Sequence, residues 1–105
     1  MKGNFVHTVY FWLKNPDSPA DRAAFEASIT KFINGSKYVQ SKFLGAPAGT
    51  PRDVVDNSYT YCLVAAFNSP EDQDAYQAED VHKVFVAESA HLWTKVQVYD
   101  SIKIW

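Results

Sequence analysis

The chain has 105 residues, 47% of them hydrophobic and 21% charged, and a formal net charge of -2. That length supports one small domain, 1–105, because neither half could bury a core of its own. The near-neutral balance argues against nucleic acid as a partner, and no apolar run reaches the ~18–20 residues of a membrane span. Met1-Lys2-Gly3-Asn4-Phe5 lacks the apolar stretch and cleavage site of a secretory leader. The single cysteine, Cys62, cannot form an internal disulfide, so a reducing cytoplasm is the expected compartment.

Phe5 to Leu13 alternates with period two. Phe5, His7, Val9, Phe11 and Leu13 share one face, and Val6, Thr8, Tyr10 and Trp12 share the other. The run is rich in branched and aromatic residues, which predicts a strand ended by Asn15-Pro16-Asp17. Ser18-Pro19-Ala20-Asp21 then reads as a capped helix start with proline in the first turn. Phe25, Ile29, Phe32 and Ile33 follow at helical spacing, and Asn34-Gly35-Ser36 marks the stop.

Tyr38 to Leu44 predicts a second, weaker strand. Gly45 to Ser58, with Gly45, Pro47, Gly49 and Pro51, reads as a mobile loop of about a dozen residues. Tyr59 to Phe67 predicts a third strand, with Tyr59, Tyr61, Leu63, Ala65 and Phe67 on one face. Ser69-Pro70-Glu71-Asp72 repeats the earlier cap and opens a short helix carrying Ala75 and Tyr76. Asp80 is read as the cap of a new helix, with Val81, Phe85, Glu88 and Leu92 on one stripe and Val84 and Trp93 beside it. Lys95 to Trp105 alternates as the last strand. The order β-α-β-β-α-β is the ferredoxin-like pattern, an α+β fold with a four-stranded antiparallel sheet and its helices on one face.

Helices cover only one face of such a sheet. The opposite face would carry Val6, Tyr10, Trp12, Cys62, Val64 and Tyr99, an apolar surface that marks a partner site. Burying each large apolar side chain contributes roughly 1.5–3 kcal/mol. Two copies packing sheet to sheet across a two-fold axis would shield this surface. The expectation is a homodimer whose two sheets form a shared, barrel-like core, a dimeric α+β barrel.

No metal-ligand spacing, phosphate-binding glycine loop or nucleophile elbow occurs, so no metal and no cofactor are expected. His7 shares its face with Phe5, Val9 and Phe11. It is either a core histidine satisfied by a carboxylate or backbone partner, or a pocket residue. Tyr76 and His82, six residues apart, would point about 240° apart on one continuous helix. They converge only if the helix breaks at Ala78-Glu79-Asp80. His82 would then lie in a first helical turn, where the dipole favours the neutral ring while Glu79 and Asp80 oppose it. A neutral imidazole beside a tyrosine hydroxyl makes a general base and oxyanion donor. His91 reads as a helix-end surface residue and Cys62 as a small core or interface side chain. Asp100, on the alternating face of Val96 and Val98, needs a pocket tyrosine or histidine as partner.

The segments His7-Thr8-Val9-Tyr10-Phe11, Tyr59-Thr60-Tyr61, Phe67-Asn68-Ser69-Pro70-Glu71, Tyr76-Gln77, His82, Phe85-Val86, Trp93 and Tyr99-Asp100 follow one another in an order that resembles one family, the stress-responsive dimeric α/β-barrel (Dabb) domain. The resemblance implies a ferredoxin-like subunit that dimerises through its sheet. One plant member closes a linear polyketide by an aldol reaction without cofactor, and its tyrosine, histidine and first-strand histidine match Tyr76, His82 and His7. That member has a histidine where this chain has Tyr61, and the family's His-Pro-x-His is here Glu79-Asp80-Val81-His82. The leading expectation is a protein that holds a small apolar or aromatic molecule in a pocket lined by Phe25, Phe32, Tyr61, Phe85 and Trp93. One alternative is a cofactor-independent cyclase-like lyase, with His82 as base, Tyr76 stabilising the enolate, and His7 and Asp100 orienting. Another, by fold analogy, is a cofactor-free monooxygenase of the α+β barrel group.

Overall fold

The computed structural model describes residues 2–105. Its elements are β1 (Phe5–Leu13), α1 (Pro19–Gly35), β2 (Ser41–Gly45), β3 (Tyr61–Phe67), α2 (Pro70–Ala78), α3 (Asp80–Ser89), a 3₁₀ turn (Ala90–Leu92) and β4 (Trp93–Ile102). The sheet is antiparallel throughout, in the order β2-β3-β1-β4. This is the ferredoxin-like α+β fold. The sheet is not closed into a barrel: β2 and β4 are its two free edges. The closed, barrel-like core expected from the sequence is therefore corrected to an open four-stranded layer. No helix among the described residues is long and apolar enough to cross a membrane.

Both helix starts follow their caps. Ser18 Oγ accepts from Asp21 N at 3.2 Å, and Ser69 Oγ accepts from Asp72 N at 3.1 Å, each satisfying an orphan first-turn donor. The start of α3 differs from expectation. Its N-cap is Glu79, not Asp80, and no side chain caps it. On α3, Phe85 is buried while Glu88 lies at the surface. There Glu88 accepts from Ser28 Oγ and Lys31 Nζ, both at 3.1 Å, and so ties α3 to α1.

The core lies between the helices and one face of the sheet. It is built from Val9, Phe11 and Leu13 of β1, Phe25, Ile29 and Phe32 of α1, Leu63 and Phe67 of β3, Tyr76 of α2 and Phe85 of α3. Aromatic edges and faces dominate it. Phe11 meets Phe25 edge-on at 5.0 Å, and Phe32 stacks on Phe85 at 4.9 Å.

On the opposite face the register sets Tyr10 beside Cys62, and Thr8 between Val64 and Tyr99. Phe43 of β2 pairs with Val64 and joins them. Tyr99 and Phe43 are 58% and 57% exposed, whereas Cys62 is buried. Tyr59 departs from expectation and sits here, its ring 4.8 Å from that of Tyr10. The chain bends at Thr60, whose hydroxyl accepts from Leu13 N at 3.0 Å, so the alternation running back from Tyr61 ends there. Ser58 at the end of the long loop accepts from Trp12 Nε1 at 3.2 Å, covering part of this face.

Phe25 is fully buried at the centre of the aromatic packing. Phe25→Ala is expected to lower unfolding free energy by about 3–5 kcal/mol. Ser69→Ala, which removes one cap, should cost about 1 kcal/mol. Urea denaturation followed by far-UV circular dichroism measures both.

Candidate functional site

α2 and α3 are separate helices because the backbone at Glu79 is extended, with φ -64° and ψ 146°. The break redirects α3 by enough that Tyr76 and His82 face each other. Their rings meet edge-to-face with centroids 5.5 Å apart. Phe32 of α1 stands 5.3 Å from His82 and 5.2 Å from Tyr76, and His7 of β1 lies 5.9 Å from Tyr76. Three polar aromatic side chains from β1, α2 and α3 thus meet at one end of the core.

They open into a cleft of about 170 Å³ between α3 and β4. Its inner wall holds His7, Phe32, Tyr76, His82 and Phe85, and its outer part Val86, Trp93, Val96 and Val98. The cleft stays open because β4 is the edge strand: on its helix-facing side Val96 and Val98 remain 37% and 41% exposed. A bulge decides that Trp93 joins them. Trp12 pairs with Lys95, but the next residue, Leu13, pairs with Trp93, so Thr94 is extra in the ladder. Trp93 and Val96, three residues apart, would face opposite sides of a regular strand. The bulge puts both into the cleft.

His7 is buried, and its Nδ1 lies 2.5 Å from Asp100 Oδ1, directly across the β1–β4 ladder. This hydrogen bond engages Nδ1, and the other ring nitrogen, Nε2, takes no part in it. His7 is thus both carboxylate-satisfied and part of the cleft wall. Asp100 supports it from behind. Among the described residues Ser89 Oγ is the one sealed side-chain polar atom without a partner.

Electrostatics separates the two facing groups. Burial, then the neighbouring His7, lowers the His82 pKa below the usual histidine value, while Glu79 opposes the shift. Burial, then the Glu79 charge, raises the Tyr76 pKa well above the usual phenol value. Near neutral pH His82 is an uncharged base and Tyr76 an intact hydroxyl donor. No group of three or more potential metal-ligating side chains occurs among the described residues.

Phe25 and Tyr61 do not line the cleft. Tyr61 turns toward α1, stacked on Phe25 at 4.6 Å, and its hydroxyl donates to Glu26 Oε2 at 2.5 Å. Burial and that hydrogen bond push its pKa up to about 12. His91 lies exposed in the 3₁₀ turn. Sequence reasoning missed Val86 and the paired Val96 and Val98 as cleft residues. The valines on β4 alternate in step with Asp100, and that was the available signal.

The lowered His82 pKa makes stability depend on pH. Between the ordinary histidine pKa and the lower folded value, the unfolded chain binds a proton that the folded chain refuses. Stability is therefore full above the ordinary value and declines as pH falls through the folded one. Thermal melts across this window should show the decline, and His82→Gln should flatten it.

A family model described as the stress responsive A/B barrel domain matches residues 5–103. Solved structures share the fold. A Dabb family protein with a ferredoxin-like fold from Mesorhizobium loti is 18% identical, with 99% of this chain and 100% of that chain covered and a TM-score of 0.80. The hydroxynitrile lyase of Passiflora edulis is 17% identical, with 96% and 94% covered and a TM-score of 0.80. A dimeric ferredoxin-like protein of unknown function from Thermobifida fusca is 16% identical, with 98% and 94% covered and a TM-score of 0.77. No curated protein matches the chain. The finer resemblance to a polyketide cyclase thus has no support beyond the family level. On the family model, which spans nearly its whole length, this chain belongs to the stress-responsive A/B barrel (Dabb) domain family.

Proposed function

We propose that this chain is a homodimeric binder of a small apolar or aromatic molecule carrying a carbonyl or hydroxyl oxygen, held in the cleft between α3 and β4. The observation that carries the reading is that the mostly apolar lining of this cleft includes the facing rings of Tyr76 and His82. Its volume, about 170 Å³, suits a single ring: an apolar cavity of about 150 Å³ accepts benzene. The ligand oxygen would meet Tyr76 and His82, and the ring would lie among Phe32, Phe85 and Trp93. Phe25 and Tyr61 would shape the cleft from behind.

A second reading is cofactor-independent lyase or cyclase chemistry at the same place. Two observations favour it: the Tyr76–His82 ring contact and the neutrality of His82. His82 would take a proton from the carbon next to a carbonyl. Tyr76 would donate to the developing enolate oxygen, and the imidazolium would return the proton to the product. His7, held by Asp100, would orient the substrate oxygen. A protein of this fold is a hydroxynitrile lyase, so the scaffold accommodates lyase chemistry.

Dimerisation would occur through the open sheet face. Exposed Tyr99 and Phe43 support it, as does the dimeric state of the Thermobifida fusca protein. Sedimentation equilibrium should find pairs of chains at micromolar concentration, and Tyr99→Glu should shift them toward single chains. A wild-type chain that stays single and soluble would refute this part.

Acetophenone serves as a probe for the cleft. Titration should move the amide resonances of Tyr76, Val86, Val96 and Val98, and Val98→Trp should weaken binding by about tenfold, ~1.4 kcal/mol. Shifts confined elsewhere would refute the binding reading. In D₂O, exchange of the probe's methyl protons should be faster with the protein than in buffer. His82→Gln should reduce that enhancement by about 10²–10⁴. Exchange no faster than in buffer would remove the lyase reading and leave the binder.

A further inference from the structure

Nothing local compels the chain to break between α2 and α3. Ala78, Glu79 and Asp80 include neither proline nor glycine, and alanine and glutamate are good helix formers. The backbone is nevertheless extended at Glu79. The cause lies across the fold. Glu79 Oε1 accepts from Ser36 Oγ at 2.5 Å and Oε2 accepts from Lys37 N at 3.0 Å, so the carboxylate grips the turn that follows α1. Ser36 Oγ also accepts from Tyr38 N at 3.3 Å, fixing that turn. The Glu79 backbone joins the two helices: its N–H donates to Tyr76 O at 3.2 Å, and its carbonyl accepts from His82 N at 3.1 Å. The same residue therefore contacts the backbone of both facing residues while its side chain is anchored elsewhere. Gly35 keeps the approach close, since a Cβ there would sit 3.1 Å from Val81 Cγ1.

We propose that Glu79 is the positioning residue of the Tyr76–His82 pair: by gripping the end of α1 it holds open the helix break that turns the two rings into one cleft. On a continuous helix these positions would diverge by about 240°. The assignment rests on the reading of Tyr76 and His82 as the polar end of a binding site. The carboxylate has a second consequence. Around His82 the ionisable neighbours are His7 from β1, Tyr76 from α2 and Glu79 at the junction, with Phe32 of α1 against the ring. Burial and His7 depress the imidazole's basicity, and the Glu79 charge offsets part of that loss.

The test needs no ligand. In the full wild-type chain, nuclear Overhauser contacts should link the Tyr76 and His82 rings. Glu79→Ala should lose them while the far-UV dichroism stays folded. Glu79→Gln, whose amide oxygen keeps part of the grip, should retain them, yet move the His82 titration midpoint to lower pH. Should Glu79→Ala fail to fold, Ser36→Ala removes one grip alone and should weaken the same contacts. Ring contacts unchanged in Glu79→Ala or, in that case, in Ser36→Ala would overturn the proposal. So would a His82 midpoint unmoved by Glu79→Gln. A failure of acetophenone to bind would refute the function proposed above without touching this result.

Discussion

The register of β1 governs the rest of the molecule. This strand is hydrogen-bonded on both sides, to β3 and to β4, so one alternation of side chains fixes both faces of the sheet. Val9, Phe11 and Leu13 meet the helices and seed the aromatic core, while Tyr10 and Trp12 face the other way. The same register brings His7 opposite Asp100. A slip of one residue would exchange the two faces, turning His7 out of the helix-side layer and leaving its carboxylate partner behind.

Around that strand, two irregularities shape the cleft between α3 and β4. The interruption between α2 and α3 aims Tyr76 and His82 at each other, and the bulge at Thr94 brings Trp93 onto the same side as Val96. Regular elements would leave each pair diverging. The facing groups sit in an aromatic setting where burial lowers the His82 pKa and raises that of Tyr76, so both rings are uncharged near neutral pH.

The open sheet face has a different character. Tyr10, Tyr59 and Tyr99 cluster there, and the end of the long loop reaches back through Ser58 to Trp12. The loop is thereby anchored at one end to the sheet instead of hanging free. Cys62 lies buried beneath this cluster, and burial raises its thiol pKa.

Local signals in the chain were sufficient for the element order, the two serine caps, the apolar stripe of α1 and the two-faced character of β1. Each follows from periodicity or from a side chain bonding its own next turn, and such interactions need no distant partner. The convergence of Tyr76 with His82 required a break whose anchor, Ser36 and Lys37, lies some forty residues away along the chain. The openness of the sheet, the turn of Tyr61 toward Glu26, the cap at Glu79 and the cleft-facing Val96 and Val98 likewise depend on contacts between distant segments. Only the folded chain decided them, because strand order, bulges and cross-element hydrogen bonds are set by which surfaces pack together, and no short stretch of sequence contains both sides of such a contact.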